Sequence, residues 1–232
     1  MGLIRFGGGV VQISGSIGGD VFARNRYGNY NRARTKPTNP NSSGQQAVRT
    51  AIGAMTTRWA QTLTGAQRTA WNLYGDSVSM KNRLGEVIHL TGFNHYIRSN
   101  ANSSRIGLTP VDDGPTIFEL PEQDPTFAVS VSEATQNVTA TFDNAMDWAV
   151  ENGGLLFIFQ GTPQNKQRNF FNGPWRFWTA VEGVDPGGPA TPKIAGAVFA
   201  VAEGQRNWFY ARILRADGRL SAPFRCDCTI DA

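Results

Sequence analysis

Trp208-Phe209-Tyr210-Ala211-Arg212-Ile213, running into Ala216-Asp217-Gly218 and then Ser221-Ala222-Pro223, is the stretch on which the fold turns. Aromatic and β-branched residues lead into an Asp-Gly turn, and a second stretch, Phe224 to Ile230, with apolar and polar residues in alternation, leaves it, which is how a hairpin is written. Working backwards, Phe127, Val129 and Val131 alternate with small or polar residues, as do Val138, Ala140 and Phe142. Leu155 to Phe159 is a continuous apolar run suited to a central strand. Trp175 to Val181 and Ala197 to Ala202 complete about seven short strands broken by Gly, Pro and Asn clusters. That pattern predicts an antiparallel β-sandwich over residues 126–232.

Upstream the period changes. Ser42-Ser43-Gly44-Gln45 has the spacing of a capping box, and Val48, Ile52, Met55, Trp59 and Leu63 follow at helical intervals. Thr64-Gly65-Ala66-Gln67 repeats the capping signal before Ala70, Trp71, Tyr74 and Val78. Thr91-Gly92 precedes a third stripe of Phe93, Tyr96, Ile97 and Ala101, and Met80 to Leu90 carries Gly85 between apolar residues, as a short hairpin would. Residues 42–107 are therefore read as three helices, and residues 108–125, with four prolines and a cluster of acids, as a linker. The fold class expected is α+β with the two kinds of element segregated along the chain.

The first 41 residues read differently again. Seven glycines and the run Arg24-Asn25-Arg26-Tyr27-Gly28-Asn29-Tyr30-Asn31-Arg32-Ala33-Arg34-Thr35-Lys36 predict an extended basic arm that gains order on a partner. Arg24, Arg26, Arg32, Arg34 and Lys36, with Tyr27 and Tyr30 between them, are the candidate contact residues. They could pair with carboxylates on a neighbouring subunit or neutralise phosphates while the rings stack on bases. Charge favours the subunit. The net charge of +4 divides into 13 Lys and Arg against 3 Asp and Glu up to Pro110, and 9 against 15 beyond it.

Little in the chain points to chemistry. There is no Gly-x-Ser-x-Gly and no phosphate loop, so no catalytic residue is assigned and an enzyme is not expected. The two histidines, His89 and His95, and the two cysteines, Cys226 and Cys228, fit no zinc-ligand spacing, and neither metal nor cofactor is expected. Cys226 and Cys228 are instead expected on one face of the last strand. Asp112, Asp113, Asp143, Asp147 and Glu151 are read as solvated. Among the rings from Phe170 to Trp178, Trp175 and Phe177 are expected in the core, while Phe171 and Trp178 are possible surface contacts. No apolar stretch approaches the length of a membrane span, and no signal peptide is visible, so synthesis in a cytoplasm is expected.

Two resemblances follow from these residues. The final hairpin and the strand pattern before it resemble a fibronectin type III or immunoglobulin-like domain. Ile13-Ser14-Gly15-Ser16-Ile17-Gly18-Gly19-Asp20-Val21-Phe22, Arg34-Thr35-Lys36-Pro37-Thr38-Asn39-Pro40, Arg68-Thr69-Ala70-Trp71 and Thr91-Gly92-Phe93-Asn94 are similar, in that order, to the N-terminal region of small virion-associated proteins of tailed bacteriophages and prophages. The second resemblance implies a structural protein located in the virion, most simply a decoration, cement or minor capsid subunit. Its partners would be major capsid, neck or tail proteins and copies of itself. A neck or tail subunit is the alternative within that class, and a basic nucleic-acid-binding module the alternative outside it.

Overall fold

The computed structural model describes residues 2–36, 38–82 and 84–232, and the chain divides into two compact units, Met1–Phe118 and Glu119–Ala232. Three helices and several antiparallel sheets are present, an α+β arrangement.

In the first unit the segment expected as an extended arm is instead a four-stranded antiparallel sheet, in the order β1-β4-β3-β2. The strands are β1 (Gly2–Ile4), β2 (Gly15–Ile17), β3 (Asp20–Asn25) and β4 (Gly28–Ala33). The glycines, which in sequence predict an extended arm ordered only by a partner, here allow the segment to fold back on itself. Several of them make turns: Gly18 has φ 58° in the β2–β3 connection, and Gly28 has φ 114° at the end of the two-residue β3–β4 turn. Between those turns Val21, Phe22, Ala23 and Tyr30 supply ordinary strand residues.

Three helices follow: α1 (Ser43–Gln61), α2 (Gly65–Ser77) and α3 (Gly92–Arg105), with a hairpin of β5 (Ser79–Lys81) and β6 (Val87–His89) between the second and third. Thr64 and Gln67 form the reciprocal capping box at the start of α2, and the Thr91 hydroxyl accepts from the Asn94 amide at the start of α3. At α1 the expected box is not formed, for Ser42 makes no side-chain capping bond. Trp71, Tyr74 and Tyr96 are fully buried between the helices. Val48 and Ile52, from the first half of the α1 stripe, remain exposed, while Met55 and Leu63 are buried. The α1 stripe thus reaches a core only in its second half.

The expected linker divides between the units. Residues 108–118 strap the helices. Asn100 on α3 donates to the Val111 carbonyl and accepts from its amide, at 3.1 and 2.7 Å. Gly114 lies so close to α2 that a Cβ there would stand 2.6 Å from the Trp71 nitrogen. Asp112 and Asp113, expected to be solvated, hold this strap (below). Asp124 is buried in the second unit, accepting from the Thr126 and Asp143 amides.

The second unit has two antiparallel sheets, β11-β8-β7 and β10-β9-β12-β13. Their strands are β7 (Ala128–Ser132), β8 (Asn137–Thr141), β9 (Leu155–Gly161), β10 (Trp175–Glu182), β11 (Lys193–Gly196), β12 (Arg206–Leu214) and β13 (Phe224–Thr229). Val129 and Val131 from one sheet, with Leu156, Ile158, Phe209, Ala211 and Ile213 from the other, belong to a single core. Residues 197–202, expected as a strand, are not one; the fifth strand of this unit is β11, just before them. The outcome is decided by pairing: Lys193–Gly196 runs antiparallel along β8, whereas the Val198 amide is taken by the Gln160 side chain at 2.7 Å. Cys226 and Cys228 both pack against the core from one face of β13, with burial pushing their thiols up to about 12.

Candidate interaction surface

The basic residues of the N-terminal segment do not act as one patch. In the β3–β4 register Phe22 faces Asn31 and Arg24 faces Asn29, on one side of the sheet. Val21 with Arg32 and Ala23 with Tyr30 lie on the other. Arg24 and Arg32 therefore point to opposite sides. Arg34 and Lys36 lie beyond the end of β4, both exposed.

Arg26 and Tyr27 form the tip of the β3–β4 hairpin, and the tip is engaged by the chain itself. The Arg26 guanidinium donates to the His89 carbonyl at 2.8 Å, and Asn82 donates to the Tyr27 carbonyl at 3.0 Å. Arg5 stands 3.8 Å from Glu86, an exposed pair of small energetic weight. These contacts tie the sheet to the β5–β6 hairpin by its end. The faces of the sheet are covered only in part.

Between residues 2 and 36 no described residue is buried as a whole, though the side-chain oxygens of Asn29 and Asn31 are; the first buried apolar residue among those described is Ala51. Leu3, Ile4, Phe6, Val21, Phe22 and Tyr30 are only part-covered. A sheet of four short strands gains its stability from an apolar face packed on something, and here neither face has that.

The helices beneath the strap show a different kind of site. Arg58 on α1 grips Asp112 with two bonds, at 2.7 and 2.6 Å, and the Tyr96 hydroxyl donates to the same carboxylate at 3.0 Å. Trp71 donates to the Asp112 carbonyl at 2.9 Å, and Gln67 to Asp113 at 2.9 Å. The Arg58 bonds hold the Asp112 carboxyl below the usual carboxylate range, while burial and the bond to Asp112 push the Tyr96 hydroxyl up. These bonds join residues of all three helices to the strap and fasten it in place. His95 is fully buried and meets Tyr74 edge-to-face, with ring centroids 5.0 Å apart, and neither of its nitrogens has a hydrogen-bond partner among the described residues. Burial, with Arg98 nearby, pushes it down to about 4, so it is a neutral core histidine at pH 7.

In the second unit the two aromatic residues expected at the surface are inside. Phe171 is 3% and Trp178 9% exposed. The reason for Trp178 is a bulge: the β10–β9 register slips between Phe177 and Thr179. Trp175 and Phe177, which simple alternation puts in the core, are thereby on the outer face. Trp178 turns inward and donates to the Gly196 carbonyl of the other sheet at 2.9 Å. Phe171 covers Gly161, where a Cβ would stand 2.3 Å from its ring, and stacks on Trp208 at 5.7 Å.

This outer face is an aromatic layer roofed by arginines. Phe159 stacks on Tyr210 at 4.4 Å, and Trp175 meets Tyr210 edge-on at 5.0 Å. Arg168, Arg206 and Arg225 lie over Phe171, Trp208 and Trp175 at 5.7, 5.1 and 5.6 Å. With ring faces already taken by neighbouring rings and guanidinium groups, the layer is a second small core rather than a platform for sugars. Of the large apolar side chains nearby, Phe170 is the exposed one, at 66%. The acids expected to be solvated are in part used too: Arg215 binds Glu151 at 2.6 Å and Asp147 at 3.0 Å.

Among the described residues no group of three or more His, Cys, Asp or Glu is placed to hold a metal ion, and no helix is long and apolar enough to cross a membrane. No protein-family model matches the sequence, and no curated protein matches it.

Proposed function

We infer that this protein is a structural component of a tailed-phage virion, a capsid-associated decoration, cement or minor capsid subunit. Its N-terminal sheet would bind neighbouring subunits, with no cofactor and no catalytic role. The observation that carries the reading is the state of that sheet. Its four strands are paired with one another, yet no apolar residue of it is buried. An element of this kind is completed by what it docks on, which is how a subunit stays dispersed alone and becomes firmly held in an assembly. Arg24, Arg32, Arg34 and Lys36 are exposed around it and are the side chains left to meet a partner's carboxylates.

The finer reading of the second unit is a fibronectin type III or immunoglobulin-like sandwich. Its support is seven strands split three and four between two sheets that share one core, and crossovers that put β12 between β9 and β13. Such a module has no inherent activity, which suits a displayed spacer.

The test is incorporation. Particles assembled with the chain lacking residues 2–41 are expected to lose it while the truncated chain stays folded. Normal incorporation of the truncated chain sinks this reading. The exposed cations give the nucleic-acid alternative its one foothold, and a binding affinity for DNA that falls steeply with salt is the result that would favour it.

A further inference from the structure

The outer edge of β2 is open and unguarded. In the sheet order β2 is terminal, paired with β3 alone, so its other side presents free amides and carbonyls among the described residues. Exposed edges are ordinarily blunted by lysine, proline or an inward charge. Here the whole stretch from Gly7 to Gly19 has no charged residue and no proline. It holds Val10, Val11, Ile13 and Ile17 instead, with Val11 83% and Ile17 64% exposed. β-branched residues on an uncapped edge are what strand addition uses.

The stretch is also complementary to itself. An antiparallel pairing centred on Ser14 sets Val11 opposite Ile17, Gln12 opposite Ser16 and Ile13 opposite Gly15, and each pair occurs twice about the two-fold axis. The two most exposed aliphatic residues of the segment thus cover each other, on the side of the sheet where Phe22 lies opposite Gly15. Gly15, at φ 111°, would relax to an extended backbone in that pairing, which glycine does without steric cost. Arg32 on β4 and Arg24 on β3 are no obstacle, since the two β4 strands would be five strand spacings apart and the two β3 strands three, about 24 and about 14 Å, both beyond the Debye length of about 8–10 Å.

We propose that this edge is a two-fold interface in which β2, extended back through Val11, pairs antiparallel with the same segment of a second copy of this chain. This deepens the assembly reading, on which it rests, by naming the partner and the register. The pairing joins the two N-terminal sheets into one of eight strands. It makes a dimer the building unit, in keeping with the isologous contacts that two-fold assemblies use.

Cysteine trapping in the full chain tests the register. Ser14 is exposed and would sit on the axis, with the two Cα atoms about 4.5–5.5 Å apart, within disulfide reach. Ser14→Cys is therefore expected to form a covalent dimer under mild oxidation. Gln12→Cys alone is expected to give at least about tenfold less, and to cross-link when mixed with Ser16→Cys. The native Cys226 and Cys228, half-buried and held protonated, serve as the unmodified control. Ile17→Lys in the Ser14→Cys chain is expected to suppress the dimer. Equal cross-linking of Ser14→Cys and Gln12→Cys, or none by either, overturns the proposal. Either result leaves particle incorporation as a separate readout, so failure of the pairing and failure of the virion reading are told apart.

Discussion

At the scale of single residues, His95 and Gly161 carry the sharpest consequences. His95 is buried as the neutral ring with a pKa near 4, against an ordinary value near 6.5 in the unfolded chain. The unfolded state therefore binds the proton first. Stability is fully present above about pH 6.5 and is lost as pH falls from there towards 4, by about 3 kcal/mol in all. Urea titrations of the full chain at intervals between pH 7 and pH 4 should show that slope, and the slope should be absent in His95→Leu. An unchanged slope in the variant would assign it to other groups. Gly161 makes a second case. A methyl group there collides with the Phe171 ring, so Gly161→Ala is expected to expel Phe171 from its place between Trp175 and Trp208. The cost should be about 2–3 kcal/mol, seen as a lower urea midpoint together with red-shifted tryptophan emission. Such a contact is invisible in sequence, because a glycine at the end of an apolar run looks like a strand terminus and nothing more.

At the scale of elements, the strap from Leu108 to Phe118 shows how a segment rich in proline and acids can be structural. Asp112 is bound by α1 through Arg58, by α3 through Tyr96 and by α2 through Trp71. Asp112→Ala removes the acceptor of two charge-assisted bonds and strands a half-buried guanidinium, and should destabilise the helices by about 2–3 kcal/mol. Its carboxyl titrates below its unfolded value of 3.8, so this contribution holds above about pH 4 and is lost only as pH falls further, a window distinct from that of His95. Hydrogen exchange on α1 and α3 would check it, faster exchange in the variant being the expected result. Elements whose hydrophobic period was strong were legible in the sequence: all three helices, the β5–β6 hairpin and six of the seven strands of the second unit. What was not legible depended on pairing partners. The Trp178 bulge reverses which rings face the core, β11 forms where β8 offers an edge, and the N-terminal glycines are turns of a sheet. Of the candidate contact residues, the Arg26 guanidinium and the Tyr27 carbonyl also meet His89 and Asn82, more than fifty positions away, contacts that no local pattern in the sequence shows.

On the scale of the whole molecule, charge and burial divide the chain in the same place. The first unit has 13 Lys and Arg against 5 Asp and Glu, a net +8, and the second 9 against 13, a net −4. Each also has its own set of buried residues, the core of the second being drawn wholly from Phe127 to Ile230. A unit with a complete core and its own hydrogen bonds is expected to fold alone, so residues 119–232 expressed by themselves should unfold in one cooperative thermal transition. Within the first unit the buried residues lie on the helices and on the segments that join them, among them Leu63, Val78 and Leu90, and the N-terminal sheet holds none. Removing residues 2–41 should then cost the tip contacts of Arg26, Tyr27 and Arg5 and the exposed bonds of Asn39 and Asn41 to Arg49 and Gln46, about 1 kcal/mol in all, because exposed bonds of this kind trade nearly evenly with water. Circular dichroism melts of the full and shortened chains should differ in midpoint by only a few degrees. A collapse of the helical signal on truncation would mean that the sheet is part of the helical core, and a sheet needed there could not be the surface that waits for a neighbour.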